Sequence, residues 1–156
     1  HGQLTFDQSA KVIINHVTDG VRIAEKALLP KAVVDFIRTH HGLGKAKYFY
    51  NSFKNQYPDK EIDEKVFTYP GPNPFSKETA VLMMADSVEA ASRSLKEHTE
   101  ESIKQLVDKI IDGQIADGLL KSAPLTFRDV ETIKSVFVDK LKTMFHTRIS
   151  YPDLKK

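Results

Sequence analysis

The amino-acid sequence predicts an all-α fold, a single bundle of about six helices. Apolar residues recur at three- and four-residue intervals in most of the chain, which is the spacing that places them on one face of a helix. No segment shows the alternation of apolar and polar residues that is typical of a half-buried strand. With 156 residues and no internal repeat, the chain has the size of one domain.

The first three helices are predicted in the N-terminal third of the chain. Residues 7–27 carry an apolar stripe that consists of Ala10, Ile13, Ile14, Val17, Val21 and Ala24. Leu29-Pro30 ends this helix, and proline in the first turn suits a second helix, which stops at Gly42. A third helix, about 44–55, carries aromatic residues that are expected to lie mostly in the core: Tyr48, Phe49, Tyr50 and Phe53.

Prolines and helix caps organise the rest of the chain. The segment Tyr69-Pro70-Gly71-Pro72-Asn73-Pro74 excludes a helix and predicts a loop over about 57–74. Ser76 is a suitable N-cap for a fourth helix, which ends near residue 95. A fifth helix starts near Thr99, and a sixth starts at Thr126, where Asp129 predicts a capping box.

Composition excludes several classes of function. A net charge of +2 is too small to indicate DNA or an anionic membrane surface as the main partner. The absence of cysteine excludes disulfides, zinc–thiolate sites and thiol nucleophiles. No apolar run approaches the roughly 20 residues of a membrane span, so this stretch is expected to be soluble. The sequence also lacks a glycine-rich phosphate loop and a nucleophile elbow.

Three histidines and one aspartate are candidate metal ligands. His40 and His41 precede Gly42 at a predicted helix end, where both side chains can turn toward one centre. His16 is expected to lie near the buried stripe of the first helix. Asp86 lies in an apolar run, where an unpaired carboxylate would be costly. Such a set in a helical bundle predicts a divalent-metal centre and hydrolysis.

Simpler interpretations of the same residues remain open. A single histidine such as His16 is more often structural, and His40 and His41 could instead interact with the dipole of a helix C-terminus. Asp86 could form an ion pair with Arg93, two turns later, or bond to a nearby serine, Ser87 or Ser92.

Other polar residues are weaker candidates. His98 is expected to be solvated, and Lys45 and Lys47 are expected to be solvated lysines rather than phosphate ligands. His146 and Arg148 could reach a phosphate or interact with a helix dipole. One tyrosine of the aromatic group could stack on a base.

Five short motifs occur along the chain in a characteristic order: His16-Val-Thr-Asp-Gly20, His40-His41-Gly42, Tyr69-Pro-Gly-Pro, Ala85-Asp86-Ser87-Val88-Glu89-Ala90-Ala91-Ser92-Arg93 and Phe145-His146-Thr-Arg148-Ile-Ser-Tyr151-Pro152. This order resembles the HD domain of the seven-transmembrane cyclic-di-AMP phosphodiesterases over essentially the whole chain. The resemblance implies an HD-domain-like helical bundle with two divalent metal ions, iron or manganese, that hydrolyses cyclic-di-AMP to pApA. It also implies that residues 1–156 are the C-terminal portion of one HD domain, on the cytoplasmic side of a membrane protein.

The resemblance also implies roles for individual residues. His16, His40 and His41 match the ligands of the second metal, and Asp86 matches the last carboxylate ligand, which belongs to the first metal. Arg93 is predicted as a phosphate contact, mainly from its helical spacing to Asp86.

The family's His-Asp pair is not found in these residues, because Gly2 follows His1. These 156 residues alone are therefore expected to be truncated at the N-terminal side and inactive or nearly so. Because the face on which the missing helices pack would be exposed, we expect a homodimer or partial disorder near residues 1–20.

Alternative functions follow from the same motifs. The related branch that cleaves cyclic-di-GMP has Gly-Tyr-Pro after the paired histidines, whereas this chain reads Gly42-Leu-Gly-Lys, so that branch is disfavoured. The main alternative is a non-catalytic nucleotide-binding or signalling module of the same fold. A helical interaction domain with incidental histidines is the other.

Overall fold

A computed structural model of the chain describes residues 5–146 and residue 154. The described part contains six α-helices: α1 (Phe6–Lys26), α2 (Lys31–Thr39), α3 (Lys47–Gln56), α4 (Lys77–Ser92), α5 (Glu100–Ala116) and α6 (Phe127–His146). A short 3₁₀ helix, Glu64–Phe67, interrupts the predicted loop. Within the described ranges the only strand-like pairing is an isolated bridge between Lys45 and Thr68. The predicted all-α fold of about six helices is confirmed.

Local capping explains why three helices start where the sequence predicted. Ser76 Oγ accepts the backbone N–H of Thr79 at 3.1 Å, which satisfies a donor that α4 leaves unpaired. Thr126 and Asp129 each accept the other's backbone N–H, at 3.0 and 2.9 Å. Thr99 caps α5 in the same way. These bonds need only residues within one turn, so the sequence alone reveals them.

Two apolar clusters hold the helices together. The first joins α4, α5 and α6 through Met83, Met84, Val88, Ile103, Val107, Ile111 and Leu141. The second joins α1, α3 and the 3₁₀ helix through Ala10, Val17, Ala46, Phe67 and Tyr69. Helix α2 packs on both α1 and α4, so it connects the two clusters. The C-terminal end of α2 therefore lies between them.

The aromatic residues of α3 divide between core and surface. Phe49, Tyr50 and Phe53 pack against the second cluster, as predicted, but Tyr48 is 73% exposed. None of the helices in the described part combines the length and the hydropathy needed to cross a bilayer. The predictions for His1 and Arg148, and those for residues 147–152 of the last motif, fall outside the described residues.

Candidate metal centre

Three of the four predicted metal ligands lie together. One ring nitrogen from each of His16, His40 and His41 lies within 4.8 Å of the other two. His16 is in the middle of α1, His40 is the C-cap of α2, and His41 follows it. The packing of α2 on α1 thus brings together imidazoles that are 24 residues apart in the sequence.

Backbone contacts fix the tautomer of two of these rings. Nδ1 of His16 contacts the carbonyl oxygen of Ile13, and Nδ1 of His40 lies 2.6 Å from the carbonyl oxygen of Ile37. A carbonyl oxygen can only accept, so each Nδ1 carries a proton, and the neutral form of each ring keeps its lone pair on Nε2. Metal-binding histidines commonly have this arrangement, with the second ring nitrogen donating to a carbonyl group.

The two Nε2 atoms of His16 and His40 face each other at 3.1 Å. With both protons on Nδ1, neither Nε2 can donate to the other, and the facing lone pairs repel. A cation between them removes this repulsion. Two nitrogens bound to one ion at about 2.1 Å each, with an angle near 95°, lie about 3.1 Å apart. The spacing therefore suits two neighbouring ligands of one metal ion.

His41 is held in the neutral form that a metal ligand needs. Burial, and after it the charges of His40 and His16, lower the pKa of His41 from 6.5 to about 4. One of its two ring nitrogens therefore keeps a free lone pair near pH 7. Nδ1 of His41 lies 4.0 Å from Oδ2 of Asp86. Because His41 is neutral at that pH, this contact is not an ion pair.

His16 and Asp86 are more accessible than the sequence suggested. His16 is exposed, because Val17 next to it faces the core and a helix turns by about 100° per residue. The Asp86 side chain is 47% exposed, so the expected desolvation is wrong. In α4, Met83 and Met84 face the core, whereas Asp86 lies on the side that faces the histidines.

The simpler partners considered for Asp86 are not among its described contacts. Arg93 pairs with Glu89, one turn away, at 3.3 Å between Nε and Oε1. Ser92 donates to the carbonyl oxygen of Glu89 at 2.6 Å, and Ser87 accepts from a residue of α5. The described contacts of Arg93 are those of a surface residue, 62% exposed, and its role in binding phosphate stays a prediction.

Tyr69 is a site residue that sequence reasoning missed. Its ring stacks on His41, with centroids 4.2 Å apart and planes 19° apart. Burial, and then the charge of Asp86, raise the pKa of the Tyr69 phenol, so its O–H stays a donor. The backbone N–H of Tyr69 donates to the carbonyl oxygen of Gly44 at 2.8 Å, which fixes the loop against the histidine turn. The Tyr-Pro-Gly-Pro motif marked this residue without revealing its contacts.

A cleft of about 800 Å³ adjoins the histidines. His40, His41 and Tyr69 line it, and so do three lysines: Lys45, Lys47 and Lys109. Lys45 pairs with Glu64 at 3.1 Å and Lys47 with Asp117 at 3.3 Å. Among the described residues, Lys109 has no carboxylate within ion-pair distance. The cleft thus offers a cation to an anionic ligand near the histidines.

Two other histidines lie away from this centre. His98 is exposed, as expected, and its ring also stacks on Phe145 with centroids 3.6 Å apart. Its Nε2 also lies 3.0 Å from the carbonyl oxygen of Ser92, which ties the start of α5 to α4 and α6. This explains the residue as a packing contact. His146, at the end of α6, is exposed.

Gly42 determines how the chain turns after the two histidines. Its φ is +50°, and an added Cβ would lie 2.6 Å from Asn73 Oδ1 and 2.9 Å from Met83 Cε. Asn73 cannot move away freely, because its Oδ1 accepts the Leu43 N–H at 2.8 Å. We expect Gly42→Ala to lower the free energy of unfolding by about 2–4 kcal/mol, measured by urea denaturation.

Gly113 provides the matched control for that substitution. It lies inside α5, and an added Cβ there meets no atom within 4 Å. Gly113→Ala is expected to raise the free energy of unfolding by about 0.5–1 kcal/mol, because alanine loses less backbone entropy in a helix. Equal stability of the two variants would contradict the role assigned to Gly42.

Comparison with known proteins shows to which family the chain is related. No family model matches the sequence. The chain is 40% identical, over all 156 residues, to the cyclic-di-AMP phosphodiesterase PgpH of Bacillus subtilis strain 168. It is 36% identical over 155 residues to the PgpH of Listeria monocytogenes serotype 1/2a, strain 10403S. The chain spans about a fifth of the length of these curated relatives, 22% and 21%.

A solved structure resembles the fold as well as the sequence. The crystal structure of the L. monocytogenes PgpH HD domain in complex with cyclic-di-AMP matches with a TM-score of 0.89 and 35% identity. The match covers 97% of this chain and 70% of that chain. Nearly all of the bundle therefore has a counterpart in that domain.

Proposed function

The chain belongs to the family of the PgpH phosphodiesterase HD domains, and from this premise we propose that it serves in the hydrolysis of cyclic-di-AMP to pApA. The order of its motifs had predicted this family. Residues 1–156 would then form the C-terminal portion of one HD domain, and two ions of iron or manganese would be its cofactors. The substrate would bind in the cleft beside the histidines.

The facing Nε2 atoms of His16 and His40 carry this proposal. A structural histidine pair would share a proton, with one nitrogen donating to the other. Here both protons are committed to backbone carbonyl groups, so the 3.1 Å spacing favours a cation. The neutral His41 ring adds a third nitrogen donor from the adjacent residue.

The donor set suits the proposed chemistry. A divalent ion lowers the pKa of a bound water molecule and stabilises negative charge on phosphoryl oxygens. His16, His40 and His41 would hold and orient such an ion, and Asp86 would add an anionic donor beside His41. The Tyr69 phenol stacks on His41 and, with its raised pKa, can donate its proton in a hydrogen bond to a phosphoryl oxygen.

The cleft supports a dinucleotide as the ligand. Its volume of about 800 Å³ is within the range of sites for ligands of that size, and its walls combine apolar side chains with Lys109. Phosphates near the histidines would thus face cations, and the bases would face apolar surface. The weak net charge of the chain gives no comparable argument for DNA.

Product analysis tests this proposal, with the protein expressed with all of its native sequence. With added Mn²⁺ we expect cyclic-di-AMP to be converted to pApA, as followed by chromatography, and we expect chelation of the metal to stop the reaction. Binding of cyclic-di-AMP without product would instead support the non-catalytic module. Absence of both binding and product would overturn the proposal.

A further inference from the structure

Gln114, on the wall of the cleft, has a carbonyl oxygen without a partner. Its Nε2 donates to Ser87 Oγ at 2.8 Å, a bond that joins α5 to α4 across the cleft wall. Its Oε1 is buried. Among the described residues, it is the only buried side-chain oxygen or nitrogen that has no hydrogen-bond partner. Buried polar groups are nearly always paired, so an unpaired one at a cleft leaves a place for a donor from a ligand or a water molecule.

The surroundings leave room for a ligand at this position. The preceding residue, Gly113, also lines the cleft, and an added Cβ there would meet no atom within 4 Å. Gln114 itself lines the cleft, so its terminal amide borders the space that a ligand would occupy. Ser87 follows Asp86 directly in the sequence, so its bond fixes the amide relative to the helix that carries the candidate ligand.

An acceptor at an apolar wall discriminates between purine bases. Ile110 and Leu119 line the same cleft and suit the flat face of a base. Adenine carries a 6-amino group that donates, whereas guanine and hypoxanthine carry a 6-oxo group that accepts. A 6-oxo purine would place two acceptors against each other without a proton between them, which a buried site strongly disfavours.

We propose that the carbonyl oxygen of Gln114, held by Ser87, accepts a hydrogen bond from the 6-amino group of a bound adenine. Gln114 is then the residue that makes the site prefer cyclic-di-AMP over cyclic dinucleotides of 6-oxo purines. This inference rests on the proposed function and adds to it the residue that selects the base.

The test compares two ligands whose bases differ only along the N1–C6 edge, where N1 is an acceptor in adenine and carries a proton in hypoxanthine. Cyclic-di-IMP has a 6-oxo group where cyclic-di-AMP has the 6-amino group. By calorimetry, the native protein is expected to bind cyclic-di-AMP about 10-fold or more tightly than cyclic-di-IMP. Gln114→Met keeps the length of the side chain and removes the acceptor. It is expected to weaken cyclic-di-AMP about 10-fold, to leave cyclic-di-IMP within about 3-fold, and so to abolish the preference.

Two further variants complete the design. Gln105→Met changes an exposed glutamine of the same helix that lies outside the cleft, and it is expected to leave both affinities unchanged. Gln114→Glu retains an acceptor oxygen, so it is expected to keep the preference for adenine even if both ligands bind less tightly; it decides the question should Gln114→Met not fold.

The outcomes separate this inference from the proposed function. An unchanged preference in Gln114→Met, or a lost preference in Gln114→Glu, overturns the role of Gln114 while the proposed function stands. Failure of the native protein to bind either ligand overturns both.

Discussion

Replacement of His40 with alanine is expected to lower the affinity of the protein for Mn²⁺ by about 100-fold or more. Loss of a residue that only orients a metal ligand costs about 10- to 100-fold in affinity, and loss of a ligand itself should exceed that. His40 is the informative choice because its Nε2 forms one half of the 3.1 Å pair with His16. Calorimetric titration with Mn²⁺, and metal analysis for iron and manganese after dialysis, measure the effect.

His146→Ala is the matched control for this substitution. His146 is exposed at the end of α6, and no histidine of the candidate centre lies on that helix. We expect its metal affinity to equal that of the native protein. Native affinity in His40→Ala, with the helical content unchanged by circular dichroism, would show that the histidine cluster is not the metal site.

The sequence predicted those parts of the fold that depend on near neighbours. Caps such as Ser76 and the Thr126–Asp129 pair bond within one helical turn, so their residue types mark the helix starts directly. The tautomers of His16 and His40 are equally local, because each Nδ1 contacts a carbonyl oxygen three residues earlier. A sequence can indicate such contacts because a helix fixes the geometry over one turn.

The parts that the sequence could not predict depend on how the helices pack. Nothing near Asp86 reveals that its side of α4 faces the histidines rather than the apolar core, so its exposure was predicted wrongly. The stacking of Tyr69 on His41 requires the proline-rich loop to fold back over the end of α2. The Gln114–Ser87 bond joins residues 27 positions apart, and neither side chain has a local signal.

The neutral state of His41 shows how packing creates the chemistry that residue types only suggest. The two adjacent histidines could be read as cations near a helix dipole, and that reading requires protonated rings. Burial between α2, the proline-rich loop and the neighbouring imidazoles lowers the pKa of His41 to about 4 instead. The ring therefore favours a metal ion over a helix terminus as its partner near pH 7.

Replacement of Asp86 with asparagine is expected to reduce the rate of cyclic-di-AMP hydrolysis by about 100-fold or more, equivalent to about 2.7 kcal/mol of transition-state stabilisation. The substitution keeps the size of the side chain and removes its negative charge. That charge lies beside His41 and acts on the Tyr69 phenol, so its loss changes the electrostatics where phosphoryl charge develops. Single-turnover product formation in the protein with all of its native sequence measures this change.

Glu89→Gln is the matched control, because it removes a negative charge from the same helix at a position away from the histidines. Glu89 lies one turn further along α4 and has nearly the same side-chain exposure, 46% against 47% for Asp86, but its partner is Arg93. An exposed pair of this kind contributes little to stability, so we expect native rates from Glu89→Gln. Because Asp86 is exposed and bonded to no described serine or arginine, Asp86→Asn should fold normally and still bind cyclic-di-AMP within about 3-fold. Native rates in both variants would mean that the carboxylate beside the histidines has no part in the reaction, and a large loss in both would assign the effect to the helix surface instead.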